Sequence, residues 1–134
     1  MNRAVTVRVS RKLFDYQAKL TAYIHIIKYV VMKTRYSRAL PKEWKPMSDV
    51  FTALGDEHRQ RMLLLFEKGE RLNVGRIVEV SPLSRSAVSH HLKVLRQAGV
   101  LRSEKVGKEV YFWIDVDYVG RTLRNVLDHI TENH

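Results

Sequence analysis

The residues of this 134-residue sequence with the clearest chemical character run from Ser84 to Gln97. Val88, Leu92 and Leu95 recur at spacings of four and three, the stripe of an amphipathic helix. Ser84, Arg85, Ser86, Ser89, His90, Lys93 and Arg96 fall outside that stripe. Ser84 is a helix-capping residue type. The free amides behind it, at the positive end of the helix dipole, can receive a phosphate. Ser86 and Ser89 are short enough to let the backbone approach a groove floor. Arg85 can reach a guanine edge or a phosphate. Lys93 and Arg96 suit phosphates further along. A capped, solvated helix with ordinary surface charge has the same pattern. The basic residues that follow, Arg102, Lys105 and Lys108, are expected near the tip of a hairpin and favour nucleic acid.

The neighbouring elements must hold that helix. Gly99 ends it. Val100–Lys105 and Glu109–Ile114 read as two strands with Gly107-Lys108 as their turn. Upstream, Asn73 can cap a short helix carrying Val74, Ile77 and Val78, which Ser81-Pro82 ends. Asp56 is a plausible cap for a helix with Met62, Leu63, Leu65 and Phe66 that stops near Gly69, and Val50, Phe51 and Leu54 give another from Met47 to Gly55. Asp115 or Asp117 caps a last helix with Val119, Leu123, Val126, Leu127 and Ile130 on one face. Two short helices, a tight turn and a β-hairpin make a winged helix-turn-helix. The expected fold is therefore mainly α with a small β-hairpin, a winged helix-turn-helix with an extra N-terminal helix.

Composition narrows the function. With no cysteine there is no disulfide, thiolate zinc site, iron–sulfur cluster or cysteine nucleophile. No Gly-rich phosphate loop, His-Glu-x-x-His or Gly-x-Ser-x-Gly occurs, so no enzyme is expected. The formal net charge of +10 points to an anionic partner. Its excess is lopsided: residues 1–46 hold eleven Lys or Arg against two acids, and residues 47–134 hold thirteen against twelve. The most apolar stretch, Ala22–Met32, is eleven residues and contains His25 and Lys28, against about 20 for a bilayer span. A cytoplasmic protein is expected, with no membrane partner.

Ser84 to Leu101, read with Phe51-Thr52-Ala53-Leu54-Gly55-Asp56-Glu57-His58-Arg59 before it and Lys105-Val106-Gly107-Lys108-Glu109-Val110-Tyr111-Phe112 after it, resembles the ArsR/SmtB family of repressors. The likeness covers about Trp44 to Glu132; a proline is usual in the family where Glu57 stands. The resemblance implies a homodimer built from the first and last helices, binding an inverted-repeat DNA operator and blocking transcription. It places Arg85, Ser86 and Ser89 at base-contacting positions, and of His90 and His91 it turns one toward DNA and the other toward the core. Two metal motifs of the family can be checked. The thiolate pair of the turn helix falls on Asn73 and Gly75, with Arg76 where an acid follows, so no ligand remains. The motif of the last helix falls on Val116, Tyr118, His129 and Glu132, which keeps half of it. Asp117 and His134 could complete an altered site. Two ligands hold zinc poorly, so no metal and no other cofactor is expected. The alternatives are a metal-responsive repressor with an altered site on the last helix, or a nonspecific architectural DNA-binding protein.

Residues 1–46 lie largely outside the resemblance and are expected to be a basic N-terminal arm (residues 1–9, with strand-like alternation) and a dimerising helix from about Ser10 to Tyr36. Residues 47–134 form the DNA-binding domain. On that helix Leu13, Tyr16, Leu20, Tyr23, Ile27 and Val30 make one stripe, widened by Ile24 and Val31. The stripe fits a helix packed on its own domain, a dimer seam or a membrane-surface helix. The second is expected, because the domain from residue 47 onward is already complete. The dimer would bury Leu13, Leu20, Tyr23, Ile27 and Val30 together with Leu123, Val126, Leu127 and Ile130 of the last helix.

Overall fold

The computed structural model describes residues 2–132, with side chains described from residue 13 onward. The chain divides into two compact units, Met1–Leu40 and Pro41–His134.

The first unit is one helix, α1, Asn2–Tyr36. It starts earlier than expected: residues 2–9, expected as a basic arm before the helix, belong to the helix, and Ser10 lies inside it instead of capping it. An alternation of apolar residues specifies a strand only where a neighbouring strand exists. Extending an existing helix adds a hydrogen bond per residue without a new nucleation cost. The helix ends with the Ser37 amide and hydroxyl both donating to the Lys33 carbonyl, at 3.1 and 2.9 Å. Among the described residues no helix is long and apolar enough to cross a membrane.

The second unit opens with a 3-10 turn, Lys42–Trp44, and then α2, Lys45–Leu54. Pro46 stands in the first turn of α2, where its missing N–H costs nothing. Helix α3, Glu57–Leu63, is shorter than expected. It is capped by Asp56, whose Oδ1 accepts from the Arg59 amide at 3.0 Å. The chain then tightens into three-residue turns, with the Leu65 amide donating to Met62 O and the Phe66 amide to Leu63 O. Leu64 is left 85% exposed, so the run of leucines does not all belong to one buried face.

Strand β1, Leu72–Asn73, precedes α4, Val74–Val80, and α5, Arg85–Gln97. Strands β2, Leu101–Val106, and β3, Glu109–Ile114, form the hairpin, and α6, Val116–Glu132, closes the chain. The sheet is antiparallel in the order β1-β3-β2, with Leu101 opposite Ile114 and Leu72 opposite Phe112. Strand β1 is not expected from the sequence, because two residues are too short for a periodic signal. Gly107 takes φ 63° at the turn, the left-handed region that suits glycine.

The core lies between the helices and this sheet. Val50 and Ala53 of α2, Met62 of α3, Ile77 of α4, Val88, Leu92 and Leu95 of α5, and Val100, Leu101 and Phe112 are all buried. The C-terminus of α5 is locked by paired bonds, Gly99 N to Arg96 O and Val100 N to Leu95 O, each 3.0 Å. Gly99 has φ 82°, and a Cβ there would lie 2.5 Å from the Tyr118 ring, so only glycine allows α6 to pack this closely. The end of α5, the start of the hairpin and the first turn of α6 therefore meet at one glycine.

Candidate nucleic-acid interface

Helix α5 presents two unlike faces. Val88, Leu92 and Leu95 have no solvent exposure. Ser84, Arg85, Ser86, Ser89, His90, Lys93 and Arg96 are all exposed. The Ser84 hydroxyl accepts from the Ala87 amide at 3.2 Å and lies 3.1 Å from the Ser86 hydroxyl. The capping geometry fixes where the helix starts, and so where its remaining free amides point. Helix α4, capped by Asn73 Oδ1 accepting from the Arg76 amide at 2.9 Å, packs on α5 and makes the helix-turn-helix.

Arg85 and Lys108 share a cleft of about 330 Å³, lined also by Asn73, Val74, Gly75, Glu109 and Val110. This brings the first turn of α5 and the tip of the hairpin to one place. Glu109 is held there by the Asn73 side-chain amide at 2.6 Å and the Tyr111 hydroxyl at 3.1 Å. Lys105 and Lys108 flank the Gly107 turn and are exposed. Arg102 is not at the tip: it stands opposite Trp113 at the base of the hairpin, 3.9 Å from Asp115. The antiparallel register is the reason, since four residues of β2 separate Arg102 from the turn.

The two adjacent histidines divide as expected. His90 is exposed, and His91 turns inward with 15% of its side chain exposed. It meets Arg59, the last residue of the segment before α4 on which the family resemblance rests, for which the sequence gives no role. The Arg59 guanidinium donates to Ala53 O at 2.6 Å and to Thr52 O at 3.1 Å, which satisfies carbonyls at the end of α2, and lies 3.4 Å from His91 Nδ1. The Asp56 carboxylate is 3.9 Å from both partners. The bond from the Arg59 amide holds the Asp56 pKa below its ordinary value. Burial pushes the His91 pKa down; Asp56 opposes this, and Arg59, His58 and His90 add to it. In the sequence these residues stand in two separate segments of the resemblance, Asp56 to Arg59 and Ser84 to Leu101, and nothing local joins them.

Leu123, Leu127 and Ile130 of α6 are exposed and Val126 is half-buried. Leu13, Leu20, Tyr23, Ile27 and Val30 of α1 are exposed. His129 stands edge-on to Trp44 with ring centroids 4.6 Å apart. Val116 is 71% exposed and Tyr118 packs over Gly99. Among the described residues no three of His, Cys, Asp and Glu come together as metal ligands, and His134 lies outside the described residues.

Residues 56–103 match the bacterial regulatory protein arsR family. That stretch of the chain is similar to the family's regulatory domain. The family is one of DNA-binding transcriptional regulators, not enzymes. A transcriptional repressor SmtB homolog of Synechocystis is 33% identical over 87 residues, covering 65% of this chain and 65% of that relative. The transcriptional repressor SdpR of Bacillus subtilis is 29% identical over 64% of this chain and 94% of its own length. Among solved structures, an ArsR-like transcriptional regulator from Rhodococcus aligns at TM-score 0.60 and 27% identity, over 66% of this chain and 83% of the other. The match spans α3, β1, α4, α5 and the start of β2.

Proposed function

We propose that this protein is a homodimeric, sequence-specific repressor that binds an inverted-repeat operator and does not respond to metal. The observation that carries the reading is the cleft shared by Arg85 and Lys108 beside the exposed serine face of α5. It offers a base-reading arginine and a phosphate-binding lysine on two elements held by one core. Ser84, Ser86, Ser89, His90, Lys93, Arg96 and Lys105 extend the same surface, and Arg102 contributes from the hairpin base. Two copies give two such surfaces, matching a two-fold operator. The exposed stripes of α1 and α6 supply the dimer faces, so residues 1–46 act in dimerisation and residues 47–134 in reading DNA.

Selection of bound fragments from random DNA, followed by gel-shift titration, tests this. A preferred site with two-fold symmetry, bound about a thousandfold or more above random DNA, is the expected result. Equal affinity for all sequences would make the protein an architectural one. Zinc or nickel is expected to leave the complex intact. Metal-dependent release that disappears in His129→Ala would restore the altered site on α6.

A further inference from the structure

The junction between α3 and α5 joins the reading helix to the rest of the domain through titratable groups. His91 leaves α5 on its inner side, directly beside the exposed His90. Facing it from α3 and its cap are Asp56, His58 and Arg59, and His90 adjoins it on its own helix. The His58 and His90 rings lie 5.7 and 5.8 Å from the His91 ring. Arg59 is the hub, since the same guanidinium holds the last carbonyls of α2 and reaches His91 Nδ1. An arginine has no acceptor, so at that contact Arg59 donates and the Nδ1 lone pair accepts. The arrangement therefore requires a neutral imidazole with its hydrogen on Nε2.

We infer that Arg59 and His91 are positioning residues for the reading helix, and that a proton taken up at His91 Nδ1 weakens operator binding. This rests on the proposed reading of α5 as the operator-binding helix. Protonation turns the acceptor into a donor facing a donor, and sets a positive charge beside Arg59, His58 and His90. The one compensating group, Asp56 Oδ1, lies 3.9 Å away and already accepts the capping bond from the Arg59 amide. Moving His91 toward Asp56 disturbs both the start of α3 and the seat of α5. The sign follows from burial. The unfolded chain takes up this proton near 6.5, and the folded chain resists it. The stability that His91 contributes is whole above that pH and falls as pH drops through it.

The test compares operator affinity of the full chain and of His91→Asn between pH 8 and pH 5.5. Asparagine keeps a polar group near the Nδ1 position and cannot take the proton. His90 and His58 are present in both proteins, so the comparison isolates the change made at residue 91. The wild-type constant is expected to rise relative to that of the variant by about fivefold or more over this range. A ratio that stays constant overturns the inference. A second measurement needs neither DNA nor the variant: NMR titration of the wild-type chain. The amide signals of Arg85, Ser86 and Ser89 should move with the midpoint of the His91 ring. A ring that titrates while those amides stay still also overturns it. Absence of any preferred DNA site at pH 8 would refute the functional reading instead, and the amide titration would still decide the positioning role.

Discussion

Helices α1 and α5 carry the same kind of apolar stripe and meet different surroundings. On α5, Val88, Leu92 and Leu95 have 0% exposure, covered by side chains of α2, α3, α4 and the sheet. On α1, Leu13, Leu20, Tyr23, Ile27 and Val30 keep between 48% and 62%. A spacing of three and four identifies the face that needs covering, but it is silent on what covers it. For α5 the cover is the rest of its own unit. For α1 the proposed cover is a second copy of the chain, and that asymmetry can be broken experimentally.

The largest effect is expected from deleting residues 1–40. Full burial of a large apolar side chain is worth about 1.5–3 kcal/mol before entropy costs. Losing several from one seam should turn a tight dimer into a weak one. The deletion also removes most of the positive excess, so the dependence of DNA affinity on salt should become shallower while operator preference is kept. Sedimentation and a salt series measure both. An unchanged dimer with an unchanged slope would make α1 an appendage, and the contrast with α5 would lose its meaning.

Next in size is Leu92→Ala, which should lower the unfolding free energy by about 2–5 kcal/mol, read by urea denaturation. Ile27→Ala is the matching change on α1. It should weaken self-association and leave the unfolding of the diluted monomer unaltered. A loss of stability in that monomer would mean that the α1 stripe is covered within one chain.

How far the sequence could be read follows the same division. The α5 stripe, the caps Asp56, Asn73, Ser84 and Asp115 and the hairpin turn at Gly107-Lys108 are local features, and each stands in the structure where its residue type requires. The misreadings came where a partner decides the outcome. Residues 2–9 alternate like a strand but have none to pair with, and they extend a helix. Strand β1 exists because β3 offers it an edge, which two residues cannot announce. Arg102 looked like a tip residue until the register with Trp113 placed it at the base. Arg59 gave the least signal, because its partners at residues 52, 53 and 91 are distant in sequence.

Arg85→Ala comes third, at about 1–3 kcal/mol of operator affinity, with relaxed specificity at the base it reads. Gel-shift titration on the preferred site and on single-base variants checks it. Unchanged affinity and specificity would move the reading surface away from the first turn of α5.

The smallest change separates the structural part of that turn from its chemistry. Ser84 both caps α5 and stands on the face proposed for DNA. Ser84→Ala should cost about 1 kcal/mol of stability through the lost bond to the Ala87 amide. Ser84→Asp should keep the cap, because a carboxylate accepts the same bond and suits the positive end of the helix dipole. It also sets a negative charge where a phosphate is proposed to approach. The two variants therefore rank oppositely: aspartate above alanine in thermal stability, and below it in operator affinity. If both measurements gave the same order, Ser84 would be a cap alone, and the phosphate would have to be held elsewhere on the surface, by Lys93, Arg96 or Lys108.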